Sequence, residues 1–476
     1  MTTPRKLGTA ALIVILIAGP SFAAAKVPTS AWHQYLYGPG HASLNVAATA
    51  ITPGNAARLH RVWTFHPPGE PGRPPARLMG APAVIGGTVY VASFSGTLWA
   101  LDERTGRLRW SADVGHTPAG TCPGPSGPTA SPVVAPDPSR GGRLTVYMSG
   151  GDGWLYALNA DTGTRAWRTR VADPDRVPTG FLYMAPLVLN DDLYVGVASN
   201  CEPPEARGRL VELHRTTGRI AHVYRGVPAG ATGSPIWTSP ASNGRSVWVT
   251  TGNAELGSVQ PSGDSFSFVR LAATDLRRED AWAVVPSLDG TDSDFGSSPT
   301  LFSAWPDGRR TQMVGACNKN GMYYALSAQH LSAGPVWARL VGTRRSGGPT
   351  CLGSAIWDAG RRQLVIPSNA TTIAGVAYGG SLRAVKPGTG AYLWQRGLNP
   401  GPIEGSPSQD GAGVIAAATA DATTGATNHL FLLRADDGRI LKRFDLPSME
   451  FAQPIFADRH LFAATLTGGL VAYASG

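Results

Sequence analysis

Apolar and polar positions alternate along most of this chain in short runs, and the runs return with turns between them. The clearest is Leu155-Tyr156-Ala157-Leu158-Asn159, followed by Asp161-Thr162-Gly163 and then Trp167. A second copy spans Leu98 to Trp110. Each predicts a strand, a tight turn and a second strand that ends in a large aromatic. Weaker echoes lie at Leu210 to Val223, Tyr324 to Trp337, Leu382 to Trp394 and Leu432 to Leu441, and a degenerate one runs from Phe268 to Trp282. Self-similarity at a period of roughly fifty residues marks a repeat architecture whose units cannot bury their faces alone. A second mark opens each unit: a small or polar residue before Pro, at Ala81-Pro82, Ser131-Pro132, Ala185-Pro186, Ser234-Pro235, Ser298-Pro299, Ser406-Pro407 and Gln453-Pro454. Ser354-Ala355 takes the remaining place. Eight openings, each followed by about four short strands, fit an all-β, eight-bladed β-propeller.

The last unit ends at Leu470-Val471-Ala472-Tyr473 without an outer strand, whereas Asn55 to Phe65 offers a strand carrying Trp63 with no unit of its own. Pairing this N-terminal strand with the last blade closes the ring and removes two sheet edges. The alternative is an open β-solenoid. The expected organisation is a leader at 1–25, an entry segment at 26–54 and one propeller at 55–476.

The leader reading rests on Arg5-Lys6, an apolar run from Leu7 to Ala18, and small residues up to a cleavage point near Ala25. The apolar run is short for a membrane span, and nothing later replaces it. The expected location is secreted, periplasmic or at the cell surface. Arg5-Lys6 is not a twin-arginine pair, so export in the unfolded state follows, with any cofactor acquired outside the cytoplasm. Four cysteines, Cys122, Cys201, Cys317 and Cys351, suit two disulfides in such a compartment. Spacing permits three pairings; Cys317–Cys351 with Cys122–Cys201 is the one expected.

A formal charge of +9 raises the question of nucleic acid, but the arginines are scattered singly over turns rather than gathered in a run, which leaves a solvated basic surface. Signatures of common hydrolases and nucleotide enzymes are missing: there is no GxSxG, HExxH or GxGxxG, nor a Gly-Lys phosphate loop. No CxxCH exists for covalent haem, so a redox enzyme built on this chain would need a separate electron acceptor.

The repeat resembles the tryptophan-docking repeat of pyrroloquinoline-quinone-dependent dehydrogenases. The resemblance sharpens at Gly233-Ser234-Pro235-Ile236-Trp237, at Val247 to Asn253, at Ser262-Gly263-Asp264-Ser265, at Asp292-Ser293-Asp294-Phe295-Gly296-Ser297-Ser298-Pro299, and at Asn318-Lys319-Asn320-Gly321. The Asp-x-Asp-Phe-Gly-x-x-Pro form is most similar to polyvinyl alcohol dehydrogenases, and Trp32 to Trp63 is similar to that family's entry segment. Carried onto these positions, the resemblance implies Trp237 under a flat quinone, Lys319 donating to the quinone oxygens, and Asp294 as the base that takes the alcohol proton. It implies calcium held by Asn253, Asp294 and Glu202. Those residue types suit the chemistry, because a hard cation takes oxygen ligands and an indole face offers stacking area. The implied substrate is a small or polymeric alcohol or a sugar hydroxyl, with an acceptor such as a cytochrome.

Departures from the family pattern accompany the matches. Arg207-Gly208 is present, yet Glu202 and Glu205 both miss the usual offset of the calcium-binding Glu. The adjacent Cys-Cys pair is absent, an Arg for a quinone carboxylate is not evident, and Gly-Asp-Ser stands where Gly-Asp-Asn is usual. The alternative function is therefore a cofactor-free propeller serving as an extracytoplasmic binding or assembly scaffold, which the assembly propellers sharing this repeat imply by resemblance.

Overall fold

The computed structural model describes residue 1 and residues 27–117, 126–173, 179–200, 205–254, 262–284, 294–343 and 351–475. The leader, Glu202, Asp292, Cys122 and Cys201 lie outside these residues. Eight blades follow one another, each built on four antiparallel strands, with a fifth short strand added in blades 3 and 7. Blade 1 comprises Ala83–Ile85, Thr88–Ser93, Thr97–Asp102 and Leu108–Asp113. Blades 2 to 7 span 133–170, 187–225, 241–283, 300–340, 356–398 and 408–445. Blade 8 takes three strands from 455–474 and its outermost from His60–Phe65, which runs antiparallel to Gly469–Ala474 with Trp63 opposite Ala472. The ring is closed by the N-terminal strand, as the orphan strand predicts.

Inner strands are buried on both faces, as Val89, Val91, Leu98 and Leu101 are in blade 1, because each blade packs between two others. Outer strands alternate half-buried and exposed residues. Every blade has an irregularity between its third and fourth strands. This bulge re-aims the residue beside it toward the next blade. Five of those positions hold tryptophans, Trp63, Trp110, Trp167, Trp337 and Trp394, and each lies opposite an alanine on the third strand. Each indole N–H donates to a backbone carbonyl of the next blade, at 2.8–3.0 Å. The ring rests on that blade's turn glycine; a Cβ on Gly106 would lie 2.6 Å from the Trp63 ring, and φ there is 68°. This contact accounts for the recurring Gly and Trp.

Three of the expected repeat ends need correction. The terminal Trp282 of the degenerate repeat is two places past the docking position, which Asp280 fills opposite Arg270, accepting from the Ser332 N–H of blade 5. The echo ending at Val223 docks His222, opposite Glu212. In blade 7 the position is Lys442. Opposite these three positions the third strand carries Arg270, Glu212 or Leu432 instead of Ala.

The opening of blade 4 also shifts. Its first strand is Ala241–Ser242, so Ser239-Pro240, not Ser234-Pro235, occupies the place held elsewhere by Ala81-Pro82 or Ser298-Pro299. The opening residues link neighbours: Ala81, Ser239 and Ser354 each donate a backbone N–H at 2.9 Å to the Ser hydroxyl that opens the next blade.

Residues 30–45 lace the inner strands together. Backbone carbonyls of Ser30, Trp32, His33, Pro39, Gly40, Ala42 and Ser43 accept from blades 8, 1, 2, 4, 5, 6 and 7 in that order, at 2.7–3.1 Å. Leu44–Asn45 then pairs in parallel with blade 7. Cys317 and Cys351 form a disulfide between the end of the second strand of blade 5 and the lead-in to blade 6. No helix among the described residues is long and apolar enough to cross a membrane.

Candidate functional site

The shift of the blade 4 opening leaves Gly233 to Trp237 as a crossing between blades 3 and 4. Gly233 bridges Arg207 on one side and Ala254 on the other. The Ile236 N–H donates to Val197 of blade 3 at 3.1 Å, and the Gly252 N–H to Pro235 at 2.7 Å. Gly252 allows this approach, since a Cβ there would lie 2.4 Å from the Pro235 ring and 3.0 Å from the Asp294 carboxylate. Trp237 and Asn253 are thereby brought to one wall.

Asp294 and Lys319 arrive together from blade 5. Phe295 bridges Asn318, and the Lys319 N–H donates to the Asp294 carbonyl at 2.9 Å. Phe295 is buried between Phe268 and Tyr324, with ring centroids at 4.7 and 6.3 Å, so the preceding carboxylate is held by an aromatic anchor. Asp294 is 3% exposed. Lys319 Nζ lies 2.7 Å from its Oδ1, and the Trp237 indole N–H donates to its Oδ2 at 3.0 Å. The Lys319 ammonium also sits 5.0 Å from the centre of the Trp237 ring. Trp237, Asn253, Asp294 and Lys319, with Tyr183, Ser199 and Pro235, border one cavity of about 270 Å³.

Of the calcium residues expected from sequence, Asn253 and Asp294 meet at this wall, and Glu202 falls outside the described residues. Glu205 is 2% exposed, and one of its oxygens has no hydrogen-bond partner among the described residues. It precedes Arg207, which bridges Gly233, so it stands on the segment next to the site. Asp264 of the Gly-Asp-Ser stretch serves the framework instead: Arg278 grips it at 2.9 Å and the Tyr224 hydroxyl donates to it at 2.5 Å. That carboxylate raises the Arg278 pKa, and burial, the larger influence, raises that of Tyr224.

A second cavity, about 240 Å³, follows the propeller axis and shares Trp237 and Tyr183 with the first. Its wall contains the residue two places before the opening residue of seven blades: Met79, Thr129, Tyr183 and Trp237 from blades 1 to 4, then Gly296, Leu352 and Phe451 from blades 5, 6 and 8. Tyr35 of the lacing segment lines it too. Sequence reasoning missed this ring, because the Ser234-Pro235 assignment hid the common register of Trp237. A third cavity, about 700 Å³, lies at the closing joint. Its Asp102 and Glu103 are already engaged by Arg109 at 2.8 Å and His460 at 3.1 Å. We therefore assign chemistry to the cavity of about 270 Å³, where a carboxylate, an ammonium, an amide and an indole converge.

Comparisons with known proteins agree with the propeller fold. A family model described as outer membrane protein assembly factor BamB matches residues 40–224 and 378–476. A polyvinylalcohol dehydrogenase of Sphingopyxis sp. (strain 113P3) is 25% identical over 65% of this chain and 50% of its own length. The quinoprotein alcohol dehydrogenase PedH of Pseudomonas putida is 26% identical over 57% of this chain and 49% of its own. The chain thus spans about half the length of the curated relatives it matches. A solved europium-containing methanol dehydrogenase superposes with a TM-score of 0.74 at 16% identity, covering 94% of this chain and 98% of that one, which shows the shared fold. With more than half of its residues under that family model, the chain belongs to this family and is a pyrroloquinoline-quinone-dehydrogenase-like β-propeller.

Proposed function

We propose that this chain is an exported quinoprotein oxidoreductase that oxidises an alcohol or sugar hydroxyl, small or polymeric, and passes electrons to a separate acceptor such as a cytochrome. In this reading residues 1–25 are the leader, 26–54 the entry segment and 55–476 the catalytic propeller. One observation carries it: a buried carboxylate, Asp294, shares a single cavity wall with Trp237, Asn253 and Lys319. The residues fit the cofactors. Trp237 offers a flat face for pyrroloquinoline quinone, and Lys319 a donor for its oxygens. Asn253, Asp294 and the buried Glu205 are hard oxygen donors suited to calcium. When bound, the quinone would supply a two-electron acceptor and the calcium a Lewis acid.

The chain's own part is positioning and proton handling. Asp294 takes the proton of the substrate hydroxyl. One of its oxygens is paired with the Lys319 ammonium and the other accepts from the Trp237 indole N–H, yet each keeps a lone pair for that proton. Purified protein titrated with the quinone and calcium, followed by tryptophan fluorescence, should bind at micromolar levels and then reduce a dye with an alcohol; absence of binding overturns the reading.

A second reading, a cofactor-free extracytoplasmic scaffold, draws on the apolar side chains exposed on the rim of blades 5 and 6. Val336, Leu340, Tyr392 and Leu393 are 37–53% exposed, and the Tyr392 hydroxyl reaches the Leu340 carbonyl. Under it, Asp294→Asn leaves partner binding intact.

A further inference from the structure

Arginines that are scattered along the sequence are gathered by the fold. Blade 3 carries one ladder row from the site to the rim: the Ile236 N–H donates to Val197, Val197 pairs with Arg209, and Arg209 pairs with Arg225. Three such spacings make roughly 15 Å. The inner end of the row belongs to the site, since Ile236 precedes Trp237, and Ala198 and Ser199 border the Asp294 cavity. Arg207 flanks the row and bridges Gly233 of the crossing. Arg209 reaches toward blade 2, donating to the Val171 carbonyl at 2.7 Å. There Arg168 and Arg170 stand over one indole, with guanidinium carbons 4.4 and 6.0 Å from the centre of the Trp154 ring.

The charges of this surface are not balanced. Arg168, Arg207, Arg209 and Arg225 form no ion pair among the described residues, and the carboxylates beside them are engaged or buried: Arg170 holds Asp173 at 2.7 Å, the Tyr156 hydroxyl donates to Asp152 at 2.6 Å, and Glu205 is buried. Like charges directly across a ladder cost stability, so packing alone does not favour Arg225 opposite Arg209. Burial, and then Arg225, lower the Arg209 pKa. Arg168 and Arg225 are exposed and open to a partner.

Resting on the alcohol-oxidising reading above, we propose that this arginine surface, at the site end of blades 2 and 3, docks an acidic protein that accepts the electrons. Guanidinium forks match carboxylates, a Trp flanked by Arg suits the anchor of an interface, and clustered charge steers an acidic partner to the surface. The ladder row sets that partner roughly 15 Å from the backbone beside Trp237.

The test follows association of full-length protein with two soluble probes, an acidic and a basic c-type cytochrome, by surface plasmon resonance. Wild type is expected to bind the acidic one, and Arg168→Glu combined with Arg225→Glu to slow its association at low salt by about tenfold or more. The difference should vanish near 1 M salt, where screening cuts the reach of a charge to about 3 Å. Arg225→Glu sets opposite charges across the ladder, so Tm should hold or rise, which separates lost docking from lost folding. Equal association by wild type and the double variant, or equal binding of the two cytochromes, overturns the proposal. So does binding of a heparin oligosaccharide through these arginines without binding of the acidic cytochrome, the result for a polyanion site. The quinone- and calcium-loaded protein separates this inference from the one beneath it. Docking through the arginines with no alcohol-driven reduction of cytochrome or dye overturns the dehydrogenase reading alone. Alcohol-driven reduction of the acidic cytochrome at one rate in wild type and double variant overturns the docking surface alone.

Discussion

Lys319 Nζ lies 2.7 Å from Asp294 Oδ1, and both side chains are largely withdrawn from solvent, at 14% and 4% exposure. Desolvating two charges is costly, so such a pair tolerates the loss of one member poorly. Lys319→Ala is expected to destabilise the fold by about 3–5 kcal/mol in urea denaturation, because it strands a buried carboxylate. Asp294→Asn removes the proposed base and is expected to lower kcat by about 10²–10⁴-fold. Combining the two should return part of the lost stability and none of the activity. Equal, additive losses of stability would argue that the pair is not coupled.

The oxygen donors beside Asp294 lead to a separate expectation for calcium. Asn253→Ala and Glu205→Gln should each weaken calcium binding by about tenfold, the effect of losing one ligand worth roughly 1.4 kcal/mol. Equilibrium dialysis of the quinone-loaded protein measures it. An unchanged affinity in Glu205→Gln would hand the carboxylate role back to Glu202.

Much of this was legible from pattern. Strand alternation, the Gly–Trp recurrence and the unpartnered Trp63 strand were enough for an eight-bladed ring and its closure, since each reports a local requirement of one blade on the next. Less legible were positions where a different side chain does the same job. Asp280, His222 and Lys442 dock where no Ala faces them, and a search for tryptophan picks Trp282 or passes them by. Trp237, Asn253, Asp294 and Lys319 stood out as motifs, but the axial ring that Trp237 shares with other blades did not. Its meaning depends on a register set by eight openings at once, and Ser234-Pro235 imitates an opening while belonging to the crossing that carries Trp237.

Buried acids make stability depend on pH. Glu450 has no exposed surface, and burial holds its pKa well above the ordinary carboxylate range. Burial likewise lifts Asp410 to about 7. For a carboxyl raised in the folded state, the folded chain binds the proton more tightly than the unfolded chain. That contribution is full below the unfolded pKa, near 4.5 for Glu450, and is lost as pH rises through the folded value. Glu450→Gln, neutral at every pH, should therefore show a smaller fall in Tm than wild type between pH 5 and pH 8, by calorimetry. Parallel Tm profiles would mean that Glu450 ionises in the folded protein at its ordinary pH.

The Cys317–Cys351 bridge ties a loop of 34 residues and ends one residue before Asn318-Lys319. Cross-linking a loop of this length restricts the unfolded chain, and its removal should cost about 2–4 kcal/mol. The Cys317→Ser, Cys351→Ser double variant is the cleaner form of the test, since reductant would also reach Cys122 and Cys201. Cys317 donates its backbone N–H to Ser297 at 2.7 Å, which holds the strand leading to Lys319 beside the one leading away from Asp294. That backbone bond survives the substitution, so stability should fall while the quinone dissociation constant moves by less than about threefold. A larger loss of quinone affinity would place the bridge among the supports of the Lys319–Asp294 pair.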